Sequence, residues 1–247
     1  MHSVTVLATL SDNYTCVLER DGRAVVIDAG EASPVLRHLR TTGSKLEAAL
    51  GTHGHFDHTG GNAELAERTG CAVLPPGAAA AERDGRLIAG PFAFTVLRTP
   101  GHSADSVCLF LPGGDGMPGD VFTGDTLFVG GCGRLLTRSP ETMWASLQVL
   151  ARLPGETRVY PGHDYTLENF EFALTVEPEN EVVKRRLEQV RALVEAGRQA
   201  VPSTIEQERA TNPFLRAAEP AMKAALGMPG ASDVEAFAEL RRRKDRF

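Results

Sequence analysis

The chain has 247 residues, 42% of them hydrophobic and 23% charged, with a net charge of −6. That balance excludes a disordered or fibrous chain and argues against a general nucleic-acid binder. It is long enough for one large domain, or for a medium domain with a smaller one attached.

No secretory leader is expected, because Met1-His2-Ser3-Val4-Thr5 lacks a basic stretch followed by an apolar one. No apolar run approaches the ~20 residues of a membrane-spanning helix. The four cysteines (Cys16, Cys71, Cys108, Cys132) are scattered and suggest no disulfide framework. A cytoplasmic location is the expectation, with a monomer as the default and neither membrane nor nucleic acid as partner.

In chain order, β-rich runs bounded by Gly, Pro or Asp predict strands at Val4–Leu10, Thr15–Glu19, Ala24–Asp28, Ala48–Thr52, Ala72–Leu74, Phe92–Leu97, Val107–Leu111, Val121–Thr123 and Arg158–Tyr160. Helices are predicted between them. Ser33-Pro34 reads as an N-cap and first-turn proline with Gly43 as terminator; Asn62–Thr69 ends at Gly70; Ser139-Pro140 opens a third helix that Pro154-Gly155 stops. Gly113–Gly119 reads as a flexible turn. After about Glu168 strand signals disappear, and Val182, Val183, Leu187, Val190, Leu193 and Val194 recur at helical spacing. Ser232-Asp233-Val234-Glu235 is a capping-box pattern that opens a last helix. A β-rich catalytic domain over residues 1–168 is therefore expected, followed by a helical domain over 169–247.

The chemistry concentrates in Thr52-His53-Gly54-His55-Phe56-Asp57-His58-Thr59-Gly60-Gly61. Three of the chain's seven histidines and one aspartate fall within six positions there. Imidazole nitrogens and a carboxylate suit zinc, iron or manganese, and the flanking glycines allow a tight backbone path. His53 and His55 are two apart, so an extended segment points both the same way. Three more polar residues each follow a glycine at a strand end: His102, Asp125 and His163. Alone, each reads more readily as a turn or core residue; together they complete a pair of metal sites. His2 and His38 are expected at the surface.

The H-x-H-x-D-H run with its downstream His, Asp and His resembles the metallo-β-lactamase superfamily. That resemblance implies an α+β fold, a four-layer αββα sandwich with metals at one rim. It also implies that His53, His55 and His102 hold one ion, that Asp57, His58 and His163 hold the other, and that Asp125 bridges them. Asp28 is a candidate to orient a ligand, with a turn-forming aspartate as the equal alternative.

Three further features narrow the resemblance: Leu127-Phe128-Val129-Gly130-Gly131-Cys132-Gly133-Arg134; Tyr165 two positions after His163; and the C-terminal segments Ser203–Arg209, Asn212–Arg216 and Arg241–Asp245. Together they are similar to glyoxalase II, the hydroxyacylglutathione hydrolases, along essentially the whole chain. The resemblance implies a C-terminal helical domain that helps bind glutathione, with Arg134, Tyr165, Arg241 and Lys244 contacting the peptide. From charge alone, the basic tail reads as a solvated helix end favoured by the helix dipole. Leu136 departs from the family, which often carries an aromatic residue there.

The implied reaction is thioester hydrolysis, S-D-lactoylglutathione to D-lactate and glutathione, in methylglyoxal detoxification. A hydroxide held between two divalent ions, zinc foremost with iron or manganese also accepted, would attack; Asp57 and Asp125 would be the catalytic carboxylates. An iron-dependent persulfide dioxygenase of the same fold, or a lactonase, is the alternative.

Overall fold

A computed structural model describes residues 1–75, 85–114 and 116–247 of the protein. Two sheets dominate it. In the first, β1 (Ser3–Thr9), β2 (Asn13–Arg20), β3 (Arg23–Ile27), β4 (Lys45–Leu50) and β5 (Ala72–Leu74) lie in sequence order. The second takes β6 (Arg86–Ala89), β7 (Phe92–Arg98), β8 (Val107–Leu111), β9 (Asp120–Gly124), β12 (Arg158–Pro161) and β13 (Ser203–Thr204), in the order β13-β12-β9-β8-β7-β6. A two-residue ribbon, β10 (Leu127–Phe128) with β11 (Gly131–Cys132), follows β9.

Strand alternation explains the layering, because successive side chains point to opposite faces. On β3, Val25 and Ile27 face the second sheet, while Ala24 and Val26 face the helices α1 (Ala32–Thr42) and α3 (Asn62–Thr69). In the second sheet, Leu109, Phe122 and Tyr160 point into the space between the sheets. Their neighbours Cys108, Val121 and Val159 point outward, onto α4 (Pro140–Ala151). The result is helix, sheet, sheet, helix, the αββα sandwich anticipated above.

The remaining helices are α5 (Thr166–Val176), α6 (Glu181–Glu195), α7 (Ile205–Thr211), α8 (Pro220–Ala225) and α9 (Asp233–Lys244). Phe170 and Ala173 of α5 pack on Val183, Leu187 and Val190 of α6. Phe237 and Leu240 of α9 join Met143, Trp144 and Leu147 of α4 in the outer core. Among the described residues no helix is long and apolar enough to cross a membrane.

Some local readings shift. The first helix begins at Ala32 with Glu31 in the capping position, so Ser33 and Pro34 both lie inside its first turn. The first four N–H groups of a helix lack intrahelical partners, so proline costs little there. Gly43 and Gly70 end α1 and α3 with φ of 72° and 73°, and Ser139 and Ser232 cap α4 and α9 as expected. The strand β13 lies beyond Glu168, where no strand was expected; its two residues are too few to show alternation. Between β8 and β9, Gly114 and Met117 form an isolated bridge, and Asp115 of that expected turn lies outside the described residues.

His2 and His38 are not the free surface residues that were expected. His2 Nε2 lies 2.6 Å from buried Asp120, and His38 Nε2 lies 2.9 Å from Glu19. The α2 turn (Phe56–Thr59) carries the site described next.

Candidate metal centre

In the first sheet β1, β3 and β4 run the same way; in the second β7, β9 and β12 do. Their C-terminal ends therefore share a rim. The segments that leave that rim carry Asp12 and Asn13, Asp28, His53–His58, His102, Asp125 and His163. The two sheets are tied together there: Tyr14 N–H donates to Gly162 O (2.8 Å) and Val107 N–H to Thr52 O (2.9 Å).

The seven residues marked as ligands in the sequence come together. His53, His55 and His102 form one group, Asp57, His58 and His163 a second, and His53, His58 and Asp125 a third; within each group the ligand atoms lie within 4.8 Å of one another. Asp125 spans them. Its Oδ2 is 3.4 Å from His102 Nε2, while its Oδ1 is 3.3 Å from His58 Nε2 and 3.5 Å from His163 Nε2. Asp57 Oδ2 lies 3.3 Å from His163 Nε2 and 3.4 Å from His58 Nε2.

Three of the rings have an oxygen near their outer nitrogen, within hydrogen-bond geometry for His102 and His163 and at ion-pair distance for His58. His102 Nδ1 is 3.1 Å from Arg134 O, His163 Nδ1 is 2.9 Å from Asp12 Oδ1, and His58 Nδ1 is 3.2 Å from Asp28 Oδ2. At His102 and His163 a proton on Nδ1 leaves the Nε2 lone pair facing the centre, the tautomer a metal ligand needs. Asp28 lies within ion-pair distance of His58, a candidate ligand. It also accepts from Thr52 N–H (2.7 Å) and the Thr52 hydroxyl (2.8 Å).

The donor set fits divalent cations. Asp125 Oδ1 is buried without a hydrogen-bond partner among the described residues. Burial pushes the His53 pKa down to about 4, so the ring is neutral with a lone pair to give. Burial opposes charge on His58 too, but Asp28 and Asp125 outweigh it and raise its pKa to about 11. That pocket of negative charge calls for a cation. Burial also opposes ionisation of Asp57, yet the Asn13 hydrogen bond and nearby His58 hold its carboxyl below the usual range. Glycine makes room: a Cβ on Gly162 would sit 2.6 Å from His58 Cε1 and 2.8 Å from Asp125 Oδ1.

Beside this cluster lies a cavity of about 490 Å³, with Arg134, Tyr165, Arg241 and Lys244 in its wall. Tyr165 stacks on His163, with ring centroids 5.0 Å apart. Burial raises its phenol to about 12, so it stays a donor. Among the described residues the Arg134 guanidinium has no hydrogen-bond or ion-pair partner. Lys244 is paired with Glu168 and lies over the Phe172 and Phe247 rings. Arg241 is buried and committed: its Nη1 donates to Cys132 O (2.8 Å) and its Nε to Asp245 (3.0 Å). Leu136 lines the cavity, 56% exposed.

Asp12 and Asn13 were not anticipated. Asn13 Nδ2 donates to Asp57 Oδ2 at 3.0 Å. Their one signal is a polar turn, Ser11-Asp12-Asn13, between two strands that end at the same rim.

The metallo-β-lactamase superfamily model matches residues 9–85 and 75–163, and the model for the hydroxyacylglutathione hydrolase C-terminus matches 164–247. The hydroxyacylglutathione hydrolase of Methylococcus capsulatus is 42% identical over 258 residues, covering 100% of this chain and 99% of that protein. The chain belongs to the hydroxyacylglutathione hydrolase family. Two solved structures share the fold of this family member. ETHE1 from Myxococcus xanthus has a TM-score of 0.65 at 26% identity, covering 97% of this chain and 90% of that one. TTHA1623, solved in a di-iron-bound form, has a TM-score of 0.59 at 29% identity, covering 86% of this chain and 100% of that one. Family membership and the His/Asp clusters together support divalent metal binding by this hydroxyacylglutathione hydrolase homologue.

Proposed function

We propose that the chain hydrolyses S-(2-hydroxyacyl)glutathione thioesters, S-D-lactoylglutathione to D-lactate and glutathione, and so serves methylglyoxal detoxification. The observation that carries this reading is the shared carboxylate of Asp125 between two ligand groups, beside a cavity walled by basic residues from the C-terminal helices. Relatives named for that hydrolysis match over the full length, which favours it over a dioxygenase or lactonase.

In this reading His53, His55 and His102 hold one ion, Asp57, His58 and His163 the other, and Asp125 both. Zinc is the first choice, and iron or manganese suit the same donors. When bound, such ions polarise a carbonyl and make water nucleophilic at neutral pH.

The chain's own groups do the rest. Asp57, held by Asn13 through Oδ2, keeps Oδ1 to accept a hydrogen bond from the attacking water. Arg134 and Lys244 pair with the carboxylates of the peptide, and the Tyr165 phenol donates to it. Arg241 contributes from the cavity wall while tying α9 to Cys132. As water adds to the carbonyl carbon and the C–S bond breaks, sulfur leaves as a thiolate. An ordinary thiol pKa of about 8.5 means it needs little help from an acid.

The reading divides the chain into a catalytic domain, residues 1–168, and a helical substrate-binding domain, 169–247. The near-meeting of the two family matches at 163 and 164 supports this. It places a monomer in the cytoplasm, with the thioester as its partner.

The test is hydrolysis of S-D-lactoylglutathione, followed by loss of thioester absorbance, with and without prior chelation. Rapid, chelator-sensitive turnover is expected. No turnover by protein holding two metals per chain would sink the substrate and leave the metal centre standing. Oxygen uptake with glutathione persulfide would then be measured.

A further inference from the structure

Among the described residues, the loop from Phe128 to Cys132 makes no backbone–backbone hydrogen bond beyond the β10–β11 ribbon. Side chains from three C-terminal helices serve it instead. Asn212, just past α7, donates to Phe128 O (3.3 Å) and Gly131 O (2.9 Å). Asn169 of α5 donates to Val129 O (3.1 Å), and Arg241 of α9 to Cys132 O (2.8 Å). Glu208 of α7 accepts from Gly130 N–H (2.8 Å) and from Asn212 Nδ2 (3.0 Å).

Glu208 is the unusual member. It is fully buried, and its Oε1 has no hydrogen-bond partner among the described residues. Burying a carboxylate is costly unless it is well bonded, so a neutral residue would be easier to accommodate for packing alone. What it serves is the Gly130 N–H, which would otherwise be an unsatisfied buried donor. The loop has little freedom to shift: a Cβ on Gly130 would meet the Phe170 ring at 3.0 Å, and one on Gly131 would meet Asn169 at 2.5 Å.

The same loop runs directly into the metal centre. It begins three residues after Asp125. At its far end a Cβ on Gly133 would lie 2.0 Å from Asp125 O, and Arg134 O is the atom that aims His102 Nδ1. Arg134 itself lines the cavity.

We infer that Glu208, with Asn169, Asn212 and Arg241, is a positioning residue for the metal centre. The C-terminal helices clamp the Phe128–Cys132 loop and through it set His102, Asp125 and Arg134, so they act on the metal ligands. This rests on the ligand assignment proposed above, and not on the substrate.

The experiment compares Glu208→Ala and Glu208→Gln with Met222→Ala in the full chain. Met222 is fully buried in the neighbouring helix α8 and has no bond to the loop. Each protein is loaded with zinc, its metal retention is read by competition with a chromogenic chelator, and its thermal unfolding is recorded. Loss of a group that orients metal ligands typically costs 10–100-fold in affinity. Glu208→Ala should therefore lose at least about tenfold in zinc retention. Glu208→Gln, which keeps an acceptor for Gly130 N–H, should recover most of it. Met222→Ala should melt earlier with retention unchanged.

Zinc retention in Glu208→Ala within about twofold of the parent, or an equal loss in Met222→Ala, overturns the inference. Should Glu208→Ala fail to fold, Asn169→Ala takes its place with the same two readings, since it frees Val129 O and leaves α7 intact. Retention needs no turnover, so failure of the thioester assay would leave this result readable.

Discussion

Lys244, at the end of α9, is held by Glu168, in the first turn of α5, across the wall of the cavity beside the metal centre. The lysine side chain is 8% exposed and the glutamate 59%. The cation proposed to receive a substrate carboxylate therefore already has an anionic partner, one that water can reach. In the proposed reading, a substrate carboxylate competes with Glu168 for Lys244.

Glu168→Gln should accordingly lower KM for the thioester, by about threefold, with kcat unchanged, the signature of uniform binding. Lys244→Ala should raise KM by about tenfold, again with little change in kcat, through loss of a charge-assisted contact. Steady-state kinetics at two salt concentrations would check both. A higher KM in Glu168→Gln would mean that the glutamate holds Lys244 in place for substrate and does not compete with it.

Asp125→Ala should lose both ions together, because one carboxylate faces both ligand groups. Metal analysis of the purified variant is the check. Full metal content with near-normal turnover would rule out the shared role.

Asp12→Ala should spare one ligand group and weaken the other. It removes the oxygen that aims His163 Nδ1, and His163 belongs to the group with Asp57 and His58. One ion per chain should become about 10–100-fold easier to remove by chelator while the second stays. Equal weakening of both ions would contradict that division of ligands.

Asp28→Asn should destabilise the metal-free protein. The carboxylate accepts two hydrogen bonds from Thr52 and faces His58, all buried. An amide keeps one acceptor, so the Thr52 hydroxyl must reverse to accept from its NH2, and loss of the bonds to a charged carboxylate costs about 2 kcal/mol. For a chain of this length that lowers Tm by about 6 °C. A thermal melt within about 1 °C of the parent would show that Asp28 does not hold Thr52 in this way.

Much of the site was readable along the chain. Histidine is scarce here, so three within six positions is a strong chemical signal, and a glycine before each of His102, Asp125 and His163 marks a strand end. Local rules also located the caps at Ser139 and Ser232. They misplaced the start of α1, because buried Ala32 extends the helix past the Ser33-Pro34 signal. Strands of two residues, such as β13, are too short to carry a period.

The candidate ligands follow from residue type and spacing, which are properties of a segment. Layering follows from alternation, which is equally local. The aiming of those ligands is a different matter. Asp12 and His163 are separated by 151 positions, Asn13 and Asp57 by 44, and Arg241 and Cys132 by 109. No pattern along the chain marks such pairs, because each residue taken alone is an ordinary turn or helix residue. They meet only because the strand ends of two sheets share one rim and the C-terminal helices fold back over it. Which oxygen of Asp125 faces which histidines, and that Glu168 occupies Lys244, come from that closure.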